Sequence, residues 1–159
     1  VCKIYFAWSH NKLLVEEYLD GRELTVGVFE KNNISKPIEV TEIISYNKNF
    51  FDYDSKYILG KSEHILPAKL PVNIYDDCKT YSKLIHDKLN CQSISRSDFI
   101  YTNGILYFLE INTHPGLTSI SLLPEQLNYH NISFEDLILT ILKKNLWTQL
   151  LLIKEKRNL

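Results

Sequence analysis

Two β-type runs, Ser93 to Tyr101 and Ile105 to Asn112, flank the dipeptide Asn103-Gly104. No other feature of the chain restricts its fold as tightly. Asn-Gly accepts the left-handed backbone that hairpin turns require, so the two runs read as neighbouring antiparallel strands. Strand side chains alternate with a period of two, and the length of the connection therefore decides which residues share a face. A two-residue turn at Asn103-Gly104 separates Asp98 from Glu110. A three-residue loop, Thr102 to Gly104 with glycine left-handed, puts Arg96, Asp98, Phe108, Glu110 and Asn112 on one face, and this second arrangement is the one expected.

The remaining segments fit around such a sheet. Leu13 to Leu19 and Glu23 to Phe29 are β-type runs separated by Asp20-Gly21-Arg22, an expected antiparallel pair. Lys36-Pro37 opens a third run, Ile38 to Tyr46. Residues 47–71 show no sustained period, and a stretch of that length inside a compact domain is usually functional or disordered. Val72 to Leu89 carries Ile74, Cys78, Tyr81, Leu84, Ile85 and Leu89 at helical spacing, the pattern of an amphipathic helix. Leu122 to His130 reads as a short helix, and Ser133 with Asp136 as the N-cap and acidic first turn of a final one.

Composition narrows the function classes. The 159 residues hold 18 Lys+Arg against 19 Asp+Glu, a net charge of −1, which argues against nucleic acid as the main partner. The basic residues at Lys143-Lys144 and Lys154 to Arg157 read as a solvated face and tail. The five glycines, Gly21, Gly27, Gly60, Gly104 and Gly116, are too scattered for a Rossmann or Walker phosphate loop. Cys2, Cys78 and Cys91 have no CxxC spacing, so neither a disulfide framework nor a zinc site is expected. The most apolar window, Leu137 to Ile153, is interrupted by Lys143, Lys144, Asn145 and Gln149 and is too broken to span a membrane. A cytoplasmic protein with no membrane partner is expected.

The hairpin face holds the chemistry. Glu110 and Asn112 lie two apart on one strand, and alternation aims both the same way, with Asp98 on the strand beside them. Two carboxylates and an amide oxygen suit Mg²⁺ held together with nucleotide phosphates, not zinc. Arg96, two residues before Asp98, shares its face and can offset charge developing on a phosphoryl or acyl group. The same residues also describe a surface cluster in which Arg96 pairs with a carboxylate across the strands, a common arrangement.

Four segments go further than spacing. Val15-Glu16-Glu17-Tyr18-Leu19-Asp20-Gly21-Arg22-Glu23, Phe51-Asp52-Tyr53-Asp54-Ser55-Lys56-Tyr57, Ser95-Arg96-Ser97-Asp98-Phe99 and Leu109-Glu110-Ile111-Asn112-Thr113-His114-Pro115-Gly116 resemble the D-alanine–D-alanine ligases of the ATP-grasp superfamily. They occur in the family's order and at compatible spacings, from about Leu14 to Leu142. The resemblance implies an α+β fold, the ATP-grasp C-terminal subdomain, with a mainly antiparallel sheet flanked by helices. Residues 1–144 would form this portion, with a lid at about 47–71, and 145–159 a helical extension.

The resemblance also implies roles and cofactors. Glu16, Glu17 and Leu19 would lie along the adenine of ATP, and Glu23 would bind the ribose hydroxyls. Lys56 and Tyr57 would sit on the lid, which protects an acyl phosphate by excluding water. Asp98, Glu110 and Asn112 would hold two Mg²⁺ (or Mn²⁺) ions. Arg96 and the backbone N–H of Gly116 would stabilise the tetrahedral intermediate, and Gly116 suits this because a missing side chain permits close approach. Ser121 and Leu122 would contact the second D-alanine. The implied reaction joins two D-alanines through an acyl phosphate, for peptidoglycan precursors. The Lys56-Tyr57 pair favours this dipeptide over the D-alanine–D-lactate product of depsipeptide-forming relatives.

Departures from the family pattern qualify this. Ser95 stands where the family usually has Gly or Ala, and Ser97 and His114 also vary. The family's N-terminal domain, its two ATP-binding lysines and its glycine-rich loop have no counterpart among these residues. The chain is therefore expected to hold only the C-terminal part of a ligase, whose partners would be D-alanine and the missing N-terminal and central domains. Full-length members of the family are usually homodimers. The alternative is a non-catalytic nucleotide- or metal-binding remnant.

Overall fold

The computed structural model describes residues 3–6, 13–45 and 62–144, with side-chain surroundings for 16–45 and 63–144. The apolar run after Asp20-Gly21 becomes the organising strand. β3 (Arg22–Lys31) is buried from Leu24 to Glu30, and a strand covered on both faces must also satisfy its backbone on both edges. It pairs antiparallel with β4 (Ile34–Ser45) on one side and β6 (Ile94–Thr102) on the other. β5 (Ser62–Ile65) extends the sheet beyond β4, and β7 (Ile105–Asn112) extends it beyond β6. The order is β5-β4-β3-β6-β7.

This arrangement corrects one expected pairing. β2 (Leu13–Glu16) pairs with β1 (Lys3–Phe6) in a separate two-stranded sheet, not with β3 across Asp20-Gly21-Arg22. Both edges of β3 are already taken by longer partners. The segment expected to be irregular, 47–71, contains a regular element, since Ser62–Ile65 within it forms the edge strand β5. Residues 46–61 and 145–159 lie outside the described residues, and with them the expected lid residues Lys56 and Tyr57 and the expected C-terminal extension.

Two apolar layers sandwich the sheet. Leu24, Val26, Val40 and Phe99 pack against Ile74 and Cys78 of α1 (Val72–Lys88). On the other face Phe29, Ile38 and Ile94 meet Leu123 and Leu127 of α2 (Leu122–Tyr129) and Leu137 of α3 (134–144). Each fully buried aliphatic or aromatic side chain contributes roughly 1.5–3 kcal/mol. The fold is thus α+β, a mainly antiparallel sheet flanked by helices. Among the described residues no helix is long and apolar enough to cross a membrane.

The helices themselves follow local rules. α1 forms where expected, but its buried stripe is Ile74, Cys78, Ser82 and His86, while Tyr81, Leu84 and Leu89 are exposed. The rotation has a polar cause: His86 Nδ1 lies 2.7 Å from Ser95 Oγ on the sheet, and Ser82 donates back to the Cys78 carbonyl at 2.7 Å. At α3, Ser133 Oγ accepts from the Asp136 N–H and donates to the Asp136 carboxylate, both at 3.0 Å, the expected N-terminal cap.

Candidate functional site

The hairpin that carries the site residues is built differently from expectation, yet delivers them to one face. Thr102 pairs with Ile105, so the connection has two residues, with φ of 52° at Asn103 and 79° at Gly104. Positive φ at both positions is the type I′ turn that matches strand twist. The register then shifts between Asp98 and Phe99, so that Phe99 faces Phe108 while Asp98 faces Glu110 and Arg96 faces Asn112. A β-bulge at Leu109 supplies the extra residue. Arg96, Asp98, Glu110 and Asn112 share a face as expected. Phe108 does not: its ring meets that of Phe99 edge-on, centroids 5.7 Å apart, on the face that α1 covers.

Asp98 is the buried centre of this face. Thr25 Oγ1 donates to its Oδ1 at 2.6 Å. Arg96 forks onto the carboxylate, Nε to Oδ1 at 3.0 Å and Nη2 to Oδ2 at 2.9 Å. Charge-assisted, two-toothed pairs of this kind are the strong ones. Thr25, Arg96 and Asp98 are all buried, whereas Glu110 on the neighbouring strand is exposed. Asn112 Oδ1 accepts from the His114 N–H at 2.9 Å, which bends the chain after β7 towards Pro115-Gly116.

That bend leads to the second group of expected residues. Ser121, at the N-cap of α2, accepts the Thr118 N–H at 3.1 Å and lies 2.8 Å from the Thr118 hydroxyl. A Cβ at Gly116 would stand 2.8 Å from Ser121 Oγ, so a side chain there would have to displace the Ser121 hydroxyl. Gly116 and Ser121 are therefore in contact, and Leu122 follows at the start of α2.

The expected nucleotide residues lie at the other end. Glu16 closes β2, Glu17 is exposed and Leu19 half-buried in the connection to β3. Glu23 pairs with Ile100 and stands two residues from Thr25 on the same strand, so it faces the same way as Asp98. Thr102 donates to the Asp20 carbonyl at 2.7 Å and holds this connection against β6. A Cβ at Gly21 would lie 2.7 Å from the Tyr101 carbonyl oxygen, so the close approach needs glycine.

Three polar partners have no local signal in the sequence. Gln126, fully buried on α2, accepts the Gly27 N–H at 2.7 Å and donates to the Thr25 carbonyl at 3.1 Å and to Thr41 Oγ1 at 2.8 Å. Thr25 reaches Asp98 across 73 residues of chain. His64 on β5 meets Glu125 on α2 at 2.7 Å. Only tertiary packing brings such pairs together, so no spacing rule could have found them.

The donor set has a definite chemical preference. Among the described residues no group of three His, Cys, Asp or Glu side chains gathers at metal-holding range. What shares one face is two carboxylates, Asp98 and Glu110, and the amide Asn112. All offer hard oxygen, which fits Mg²⁺ or Mn²⁺ completed by phosphate and water, and not zinc. Among the described residues no cysteine stands on this face: Cys78 of α1 packs against the opposite side of the sheet, where burial, with the nearby Asp77 charge, pushes its thiol up to about 12.

Comparison with known proteins identifies the family. Residues 5–143 match the family model described as D-ala D-ala ligase C-terminus. The chain is 42% identical over 135 residues to a D-alanine–D-alanine ligase of Rickettsia bellii, covering 84% of this chain and 41% of that protein. It superposes on the D-alanine–D-alanine ligase from Bacillus anthracis complexed with ATP with a TM-score of 0.66 and 27% identity, covering 86% of this chain and 43% of that one. The D-alanyl-alanine synthetase A from Vibrio cholerae gives a TM-score of 0.69 and 29% identity over 80% of this chain and 39% of that one. The chain spans about two fifths of the length of the curated relatives it matches.

Proposed function

This chain belongs to the D-alanine–D-alanine ligase family, matching its C-terminal portion, and from that premise we propose that it supplies the ATP-grasp catalytic face of a ligase that joins two D-alanines for peptidoglycan precursor synthesis. The observation that carries this reading is the shared face of Arg96, Asp98, Glu110 and Asn112, with Gly116 and Ser121 in contact at its end. The reaction belongs in the cytoplasm, where ATP and free D-alanine meet.

In the proposed reaction the carboxylate of one D-alanine takes the γ-phosphoryl group of ATP, giving an acyl phosphate and ADP. The amine of the second D-alanine attacks the acyl carbon, loses a proton, and phosphate departs. Asp98, Glu110 and Asn112 would hold Mg²⁺ or Mn²⁺, which supplies charge neutralisation to the phosphates. Arg96 offsets charge on the transferring group, and the Gly116 N–H donates to the oxyanion of the tetrahedral intermediate. Ser121 and Leu122 line the place of the second D-alanine. Glu23 takes the ribose hydroxyls, and Glu16, Glu17 and Leu19 run along the adenine. Tyr57 and Lys56 complete the proposed site from the lid. Residues 1–144 would act as one C-terminal portion, with 145–159 an extension beyond it.

Because the chain spans about two fifths of its relatives, these 159 residues by themselves are expected to release no ADP and form no dipeptide from ATP and D-alanine. A chimera tests the reading directly. The C-terminal portion of the Rickettsia bellii ligase is replaced by this chain, and D-alanyl-D-alanine and ADP are measured by chromatography. The chimera is expected to make both in equal amounts, and Asp98→Asn in the chimera to abolish them. A folded chimera that is inactive, or one indifferent to Asp98→Asn, overturns the proposal.

A further inference from the structure

We propose that Thr25 is a positioning residue that keeps Asp98 aimed at the metal when Arg96 turns to the reacting group; the inference rests on reading Asp98 as a metal ligand. In the structure Arg96 occupies both carboxylate oxygens, at 3.0 and 2.9 Å. A cation on Asp98 competes with that fork, and the proposed reaction also needs the Arg96 guanidinium elsewhere. Thr25 has no part in that chemistry. Of the two carboxylate oxygens its hydroxyl touches Oδ1, at 2.6 Å, with the Ser97 carbonyl a longer contact at 3.5 Å, and it leaves the outer lone pairs of Oδ2 to a cation. Being neutral, it orients the carboxylate without offsetting the charge that attracts the metal.

The anchor under Thr25 is correspondingly rigid. It lies on the central strand, fully buried, and pairs in register with both Asp98 and Thr41. Its branched β-carbon restricts χ1. Its carbonyl is held by Gln126, which also grips the Gly27 N–H and Thr41 Oγ1. Gln126 sits on α2, the helix that Ser121 and Leu122 begin. One buried hydrogen-bonded path thus runs from the acceptor end of the proposed site to the metal carboxylate. Removing a partner that orients a metal ligand in this way commonly costs roughly 10–100-fold in metal affinity.

The test uses the 159-residue chain and Mn²⁺ alone, with free Mn²⁺ followed by electron paramagnetic resonance. Thr25→Val keeps shape and removes the donor, whereas Thr25→Ser keeps the donor. Thr25→Val is expected to weaken Mn²⁺ binding roughly 10–100-fold, with Thr25→Ser within about threefold of the parent and both melting as folded proteins. If the valine variant does not fold, Thr25→Ala against Thr25→Ser repeats the comparison. Binding by the donor-less variant that equals the parent's, or an equal loss in the serine variant, overturns the positioning role while Asp98→Asn still abolishes binding. Mn²⁺ binding that Asp98→Asn leaves unchanged overturns the metal reading itself, and the role of Thr25 with it.

Discussion

Asp98 faces Glu110 across the β6–β7 ladder although the turn joining those strands has only two residues. With a two-residue turn and a regular ladder, the two carboxylates would point to opposite faces. The bulge at Leu109 absorbs one residue and returns Glu110 to the face of Asp98, while Phe108, two positions earlier, stays on the face of Phe99. One strand therefore turns an aromatic ring to the α1 face and a carboxylate to the site at an i, i+2 spacing that a regular strand forbids.

The turn itself should be sensitive for backbone reasons alone. Gly104 has a φ of 79°, and a Cβ there would meet nothing within 4 Å. Gly104→Ala is expected to cost about 1 kcal/mol, the penalty of a left-handed alanine. Urea denaturation checks this, and an unchanged midpoint would show that the turn does not need its type I′ conformation.

Gly27 presents the opposite case. Its Cβ would lie 2.5 Å from Leu123 Cδ1 and 2.6 Å from Gln126 Oε1. Gly27→Ala is expected to push α2 off the sheet and cost at least about 2–3 kcal/mol, from overpacking and from the weakened Gln126 bond. Thermal melting measures the loss. The larger effect should come from Gly27, although both substitutions add the same methyl group.

Gln126→Leu should destabilise through polar groups it strands, not through volume. Leucine leaves the Gly27 N–H and Thr41 Oγ1 without the partners they have at 2.7 and 2.8 Å. With a buried orphan costing about 1–3 kcal/mol each, a loss of roughly 3 kcal/mol is expected. Native-state hydrogen exchange should show it first at the Gly27 amide, and an amide as protected as in the parent would refute the assignment.

Stability should also depend on acid in a defined direction. Burial holds the His86 imidazole below its usual 6.5, against the pull of the Glu30 and Asp87 charges. The unfolded chain then takes the proton first, so this contribution is complete above pH 6.5 and declines as pH falls below it. Burial pushes the Glu30 carboxyl up, but the Lys144 hydrogen bond and charge, the Ser93 N–H and His86 hold it below its usual 4.5. That second contribution is present above pH 4.5 and lost on further acidification. Urea midpoints measured between about pH 7.5 and 5 should fall for the parent and stay flatter for His86→Gln. A flat parent profile would remove His86 from this account.

Much of the site was legible before folding because it is local. Asp98, Glu110 and Asn112 lie within one hairpin, and the expectation of a three-residue loop groups them; the turn has two residues, and only the bulge at Leu109 returns Glu110 to the face of Asp98. Gly116 and Ser121, within one loop, are marked by the family resemblance. The pairing of the first strands was not legible: Leu13–Glu16 had an equally good local partner in β3, and the choice fell to whichever neighbours buried β3 best. The buried stripe of α1 was misread for a similar reason. Apolar spacing favours Tyr81 and Leu84, but the sheet presents Ser95 to that helix, and a polar surface selects His86.

By itself, then, the order of residues determined which elements form, which family motifs they carry, and that three hard oxygen donors stand on neighbouring strands. Tertiary structure alone decided how those donors are held. A bulge inside the hairpin rescues the register, and the Thr25 hydroxyl on Asp98 and the Gln126 clamp beneath it join groups 73 to 101 residues apart. Such contacts depend on which surfaces are buried together, and burial is a property of the assembled sheet and helices, not of any window along the chain.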